Sequence, residues 1–206
     1  MTNLPDKPLI EPLIEVEALS CTRERRVLFT ALSLRLEAGE CVELRGPNGS
    51  GKTTLIRTLA GLLPMQGQVL ASSVIAYLGH TNGLAGPLSP LENLRWYLGI
   101  GGHAADDQPI HAALRRLEIG GLFRQPVERL SAGQQRRVAL ARLLIGAAPV
   151  WLLDEPYTAL DASGIACVDG LLAEHVAAGG CALVASHSPV AVATRTVELN
   201  GERVPA

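Results

Sequence analysis

The chain has no excess of basic residues: 18 lysines and arginines stand against 20 acids over 206 residues, a formal charge of -2. Without that excess there is no electrostatic footprint for gripping a phosphate backbone, so nucleic acid is not an expected partner. CxxC and CxxCH pairs are missing too. Cys21, Cys41, Cys167 and Cys181 lie far apart, which leaves no zinc or covalent-haem spacing and no argument for disulfides. The opening residues carry Asp6, Glu11, Glu15 and Glu17 with prolines between them, unlike the basic-then-apolar layout of a secretory signal. The cytoplasm is the simplest compartment for such a chain.

Long apolar runs that could cross a membrane are also lacking, although the mean hydropathy is +0.23. Residues 58–91 and 175–194 hold no Asp, Glu, Lys or Arg, but Gly61, Pro64, Gly67, Gly79, Gly83, Gly86, Pro87 and Pro90 interrupt the first and Gly179, Gly180 and Pro189 the second. A span needs about 20 predominantly apolar residues that stay helical. Neither a transmembrane segment nor an extra C-terminal regulatory domain is expected. Charge is sparse at 18% and aromatics at 3%, yet 48% of the residues are hydrophobic, outside the region where chains remain disordered. The apolar content must be buried in a core or against a partner, in one domain with room for a small inserted lobe.

Residues 1–12 read as a loose leader. Strands are expected over 13–19, 31–36 and 41–44, the last two joined by the turn at 38–40. The loop 46–51 leads into a helix over 52–62, with Leu55, Ile56, Leu59, Leu62 and Leu63 on one face. Further strands are expected over 68–70 and 74–78, and a helix starts at Pro90. Helical pieces follow to about Arg129, with Ile110, Leu114 and Leu117 on one stripe and glycines at 99–102 and 120–121 as breaks. Then come a helix over 132–145 capped by Ser131, a buried strand over 150–153, a helix over 163–177, and strands over 181–185 and 196–199.

Gly46-Pro47-Asn48-Gly49-Ser50-Gly51-Lys52-Thr53 fits GxxxxGK[ST] and lies between an expected strand and an expected helix, as a phosphate-binding loop must. Its backbone N–H groups and the helix dipole favour an anion, Lys52 supplies charge to the β- and γ-phosphates, and Thr53 offers a Mg²⁺ ligand beside Thr54. About a hundred residues on, Asp154 and Glu155 end the apolar run 150–153, where burying two acids is costly without a cation or partner. Asp154 would hold Mg²⁺, or merely cap the next turn, and Glu155 could polarise an attacking water as general base.

Between them stands Leu130-Ser131-Ala132-Gly133-Gln134-Gln135-Arg136-Arg137. That run, with the phosphate loop, Asp154-Glu155, Ala159-Leu160-Asp161 and His187, resembles the motif set of the ATP-binding cassette ATPases in its usual order, over residues 13 to 200. The resemblance implies an α/β fold of the P-loop NTPase class: a RecA-like parallel-sheet core, an N-terminal antiparallel β subdomain and a small helical lobe carrying the signature. Residues 1–206 then form one domain, with the core over about 13–80 and 146–206 and the lobe over about 81–145. It also implies a head-to-tail dimer in which Ser131, Ala132, Gly133 and Gln134 of one copy face ATP held by the phosphate loop of the other. Ser131 can cap its helix at the same time. His187 would contact the γ-phosphate and Glu155, and Asp161 would belong to the loop between the two sites.

Two departures stand out. Where the family stacks adenine on an aromatic side chain, residues 20–26 hold none, and Arg23 or a neighbouring arginine is nearest that place. Arginine can also stack on a flat ring. His80 stands at the position of the family's glutamine, either bonding a metal-bound water or meeting a partner. The short lobe, His80 in place of glutamine, Leu130 to Arg142 and Asp154 to Asp161 together resemble the haem-exporter ATPases of bacterial cytochrome c maturation. The implied function is ATP hydrolysis with Mg²⁺ at the cytoplasmic face of the inner membrane, with separate transmembrane permease subunits and, through them, a haem chaperone. No residue pattern carries haem: His103, His111 and His175 are not read as its ligands. Three readings compete: the ATPase of another small transporter, a soluble cassette ATPase such as one serving iron-sulfur cluster assembly, and a regulatory module that binds ATP without hydrolysing it.

Overall fold

The computed structural model describes residues 12–23, 26–102 and 106–199. The expected leader, but for Pro12, falls outside them, as does His103. Strands β1 (Ile14–Arg23), β2 (Arg26–Leu36) and β4 (Gln66–Ala71) make an antiparallel sheet in the order β2-β1-β4. Five others form a parallel sheet in the order β5-β6-β7-β3-β8: β3 (Cys41–Arg45), β5 (Ile75–Leu78), β6 (Val150–Asp154), β7 (Cys181–Ala185) and β8 (Arg195–Glu198). The helices are α1 (Lys52–Leu59), α2 (Pro90–Ile100), α3 (Asp107–Arg116), α4 (Ala132–Gly146) and α5 (Ala162–Ala177). No described helix is long and apolar enough to cross a membrane.

Every residue of β6 and β7 is buried. These strands lie in the middle of a parallel sheet with both faces covered, which is why they read as continuous apolar runs. The pleat sorts them into two cores. Val42, Leu44, Val150, Leu152, Cys181 and Leu183 face α1 and the antiparallel sheet, with Ile14, Val16, Leu55 and Ile56 opposite. Cys41, Trp151, Leu153, Ala182 and Val184 face the other way, onto Val168, Leu172 and the helices α2–α4. The helices after β5 thus share one continuous core with the sheet.

Two expectations about element length are corrected. β1 and β2 run past the places where the alternation of apolar residues stops, because bulges at Ala18 (φ 49°) and Ala31 (φ 48°) break the period of two while pairing continues to Arg23 and Arg26. Helix α1 closes at Leu59 rather than Leu62. Gly61 adopts φ 72°, and Leu62 and Gly61 donate to the Arg57 and Thr58 carbonyls, a left-handed termination that glycine takes at little cost. The Ser131 cap is present: its hydroxyl accepts from Gln134 N at 3.2 Å and the Gln134 amide oxygen accepts from Ser131 N at 2.9 Å.

His175, on α5, is structural. Its ring stacks on Trp151 at 3.8 Å and 9°, and Nε2 lies 3.1 Å and 3.2 Å from the Pro149 and Cys181 carbonyls, so that nitrogen carries the hydrogen. Burial holds its pKa below the usual 6.5. With the folded value depressed, the unfolded chain takes up the proton first as pH falls. The stabilisation is complete above 6.5 and is lost as pH falls toward the folded value. The thermal midpoint is expected to drop as pH falls below 6.5, and to drop less steeply in His175→Gln, whose midpoint is lower throughout. Equal slopes in the two proteins would remove this role.

Candidate nucleotide site

The C-terminal ends of β3, β6 and β7 lie side by side, the edge of an open parallel sheet where ligands bind. From β3 the chain enters residues 46–51. Gly46 has φ 148°, and a Cβ there would lie 2.3 Å from the Leu199 carbonyl oxygen, so this corner admits only glycine. Gly51, at φ 103°, turns the chain directly into α1, whose first turn carries no acid. The helix N-terminus therefore faces the loop with its positive dipole end uncompensated. Lys52 is buried and its ammonium donates to the Gly46 and Pro47 carbonyls at 2.7 Å and 3.2 Å.

Thr53 Oγ1 donates to Asp154 Oδ1 at 3.1 Å. Asp154 is 1% exposed, and its Oδ2, like the Ser50 hydroxyl, has no hydrogen-bond partner among the described residues. An orphaned carboxylate oxygen beside a threonine hydroxyl is a donor set that suits a hard divalent cation such as Mg²⁺. The next residue, Glu155, stands in the left-handed region at φ 54°, with its N–H on the Ala185 carbonyl at 2.8 Å. Its carboxylate accepts from His187 N at 3.3 Å, and Oε1 is 3.5 Å from His187 Nε2. The imidazole is 64% exposed and turned to the cavity.

That cavity, of about 570 Å³, is lined by Asn48, Gly49, Gly51, Lys52, Thr53 and Thr54 on one side and by His80, Glu155, Thr158 and His187 on the other. Arg23 and Leu28 close one end. Arg23 was expected there, whereas Leu28 and Thr158 were missed. Leu28 carries no chemistry that a sequence would flag, and it reaches the site only because β2 lies against Gly51.

Ser131, Ala132, Gly133, Gln134 and Asp161 line a different cavity, of about 580 Å³, which shares no residue with the first. Gly133 packs so tightly on residue 159 that a Cβ would lie 2.7 Å from the Ala159 carbonyl oxygen. Asp161 caps α5 through Gly164 N at 2.9 Å, and that bond, with those from Ser163 and Arg137, holds its carboxyl below the usual range. Arg137 joins the two sides of this cavity, donating to Leu117 O, Glu118, Asp161 and Ser163 at 2.6–3.1 Å. Residues 158–161 run from one cavity to the other. The role of Arg137 was not anticipated, although two adjacent arginines at the head of an apolar helical run were the signal.

Comparison with known proteins shows the family. The model of the ABC transporter family matches residues 29–158. A cytochrome c biogenesis ATP-binding export protein, CcmA, of Saccharophagus degradans is 41% identical over 91% of this chain and 93% of its own length. Its counterpart from Methylococcus capsulatus is 45% identical over 83% and 89%. Among solved structures, an ABC transporter ATP-binding protein from Pyrococcus furiosus superposes with a TM-score of 0.79 at 26% identity, over 90% of this chain and 96% of that one. A transporter described as of the metal-chelate ABC type, in an inward-facing conformation, gives 0.81 at 26%, over 93% and 81%. The chain is an ABC-type ATPase that belongs to the ABC transporter family and, within it, to the cytochrome c biogenesis ATP-binding export proteins.

Proposed function

We propose that the chain hydrolyses ATP as one subunit of an inner-membrane complex that exports haem, or releases a haem-loaded chaperone, during cytochrome c maturation. The observation that carries the ATPase part is the convergence of Lys52, Thr53, Glu155 and His187 on one cavity at the sheet edge. The printed names of the relatives carry the pathway. One domain with its lobe over about 81–145 fits the continuous core beneath it.

In this reading the Lys52 ammonium leaves the loop carbonyls and binds the β- and γ-phosphate oxygens, while N–H groups of residues 48–54 surround the same phosphates. Thr53 and Asp154 would hold Mg²⁺, which when bound supplies charge neutralisation to the phosphates. Glu155 accepts a proton from the attacking water. His187, bonded to Glu155 through its backbone N–H, orients that carboxylate and donates to the γ-phosphate. His80 lines the same cavity, and in this reading it couples the site to the membrane partner. Ser131, Ala132, Gly133 and Gln134, with Asp161 beside them, line a cavity apart from the phosphate loop, so a second copy of the chain must bring them to the ATP. The partners are that copy and separate permease subunits.

Arg23 stacks on the base with Leu28 behind it. Exposed cation–π contacts contribute about 0.5–1 kcal/mol, so Arg23→Ala is expected to weaken ATP and GTP alike by about two- to fivefold in a nucleotide-displacement titration. A loss confined to ATP would replace stacking by an adenine-specific contact.

The test of the whole reading is to isolate the tagged chain from its own cell membranes in mild detergent, identify its companions and record haem absorption. Recovery of small cytochrome-maturation membrane proteins with haem, retained in Glu155→Gln with ATP, supports it. Recovery of an unrelated permease removes haem, and a chain found only in the soluble fraction with cytosolic companions removes transport.

A further inference from the structure

Arg136 is 2% exposed, and none of its hydrogen bonds among the described residues goes to a carboxylate. Its five N–H donors instead meet five oxygens. Nε donates to the Pro156 carbonyl at 3.2 Å, and one terminal nitrogen to the Asp154 and Glu155 carbonyls at 3.1 Å and 2.7 Å. The other terminal nitrogen donates to the Gly79 carbonyl at 2.9 Å and to Asn82 Oδ1 at 3.1 Å. Burial lowers its pKa to about 10, so the guanidinium remains charged at neutral pH.

Those acceptors belong to two separate segments. Three are successive carbonyls beginning at the last residue of β6 and spanning Glu155, whose left-handed backbone is unfavourable for a residue with a Cβ unless its surroundings enforce it. The other two belong to residues 79–82, the loop that follows β5 and carries His80. A guanidinium is planar and rigid, so its donors leave in fixed directions towards both sets of oxygens at once, which a lysine with three freely rotating donors cannot do. Arg142, six residues and nearly two turns further along α4, holds the same loop by donating to the Asn82 carbonyl.

We infer that Arg136 is a positioning residue that locks the loop 79–82 to the Glu155 turn, so that displacement of the loop displaces the Glu155 carboxylate. The inference rests on the reading of Glu155 as the base. It turns the proximity of His80 to the hydrolytic site into a mechanical connection through α4: whatever moves residues 79–82 sets whether Glu155 is aligned on its water.

The experiment measures kcat and KM for ATP with the complex isolated from its own membranes, in Asn82→Ala, Asn82→Asp, Arg136→Lys, the double variant Asn82→Ala/Arg136→Lys, and Glu155→Gln. A misplacement of about 1 Å at a reacting group costs up to about 100-fold, so Arg136→Lys is expected to lower kcat by about that factor and Asn82→Ala by about tenfold, with KM unchanged within about twofold. Asn82→Asp keeps an acceptor for the guanidinium and is expected to restore kcat. The double variant is expected to be no slower than Arg136→Lys alone, because Asn82 acts through Arg136. Should Arg136→Lys fail to fold, the Ala and Asp variants at 82 decide by themselves. Wild-type turnover in Asn82→Ala, a loss that appears in KM, absence of rescue by aspartate, or multiplied effects in the double variant would overturn the inference while Glu155→Gln remains inactive. Normal turnover in Glu155→Gln would overturn the reading of Glu155 and this inference with it.

Discussion

Replacing Glu155 by glutamine is expected to reduce steady-state ATP turnover by about 10²–10⁴-fold, the usual share of a positioned general base, while ATP still binds. The amide has nearly the volume of the carboxylate and can still accept from the His187 N–H, now 3.3 Å from Glu155 Oε2, so the cavity keeps its shape. What disappears is the basic oxygen that takes the proton from water. Because chemistry stops after ATP has closed the site, the variant is also expected to accumulate as an ATP-bound dimer on gel filtration, where the wild type passes through that state. Two readouts check this: phosphate release by the complex and the elution volume with and without ATP. Normal turnover would sink the role of Glu155, and an unchanged monomer would sink the second copy as the source of the signature residues.

Replacing Lys52 by alanine is expected to act one step earlier, on binding itself. The ammonium is the only side-chain cation in the loop 46–54 and sits on the Gly46 and Pro47 carbonyls, ready for phosphate oxygens. Removing one member of a desolvated, hydrogen-bonded charge pair costs about 2–5 kcal/mol, which is roughly 30-fold or more in Kd. A ligand that binds only the folded state raises the thermal midpoint. ATP should therefore raise it in the wild type and in Glu155→Gln but scarcely in Lys52→Ala. An equal ATP-induced rise in Lys52→Ala would mean that the backbone N–H groups and the helix dipole alone hold the phosphates. The two substitutions thus separate binding from chemistry: one keeps the dimer and loses turnover, the other loses both.

The residues whose chemistry is local were legible without coordinates. The phosphate loop declares itself because its glycines, lysine and threonine act through backbone geometry within eight consecutive positions. The ends of β6 and β7 were equally plain, since apolar runs as short as residues 150–153 and 181–185 suit strands buried on both faces. The lengths of β1, β2 and α1 were not. Bulges at Ala18 and Ala31 conceal the continuing strand, and the Gly61 termination ends a helix whose apolar spacing runs on to Leu62.

By itself, the sequence determined the anion site at the start of α1, the acids at the end of a buried strand and the cap at Ser131, because each depends on neighbours within about one turn of helix or one strand, while the order of these motifs along the chain carried the family resemblance. Only the tertiary structure decided which of these groups share a cavity. Glu155 meets His187 because β6 pairs with β7 in register, Asp154 opposite Ala185. Thr53 meets Asp154 across 101 positions of chain. Leu28 joins Arg23 at the cavity because an antiparallel strand folds over Gly51. Arg136 finds its five oxygens only when α4, the loop after β5 and the turn after β6 have closed on one another. Burial decides that last case: a guanidinium shut away from water must satisfy every donor, and the oxygens that do so come from segments that no local pattern links.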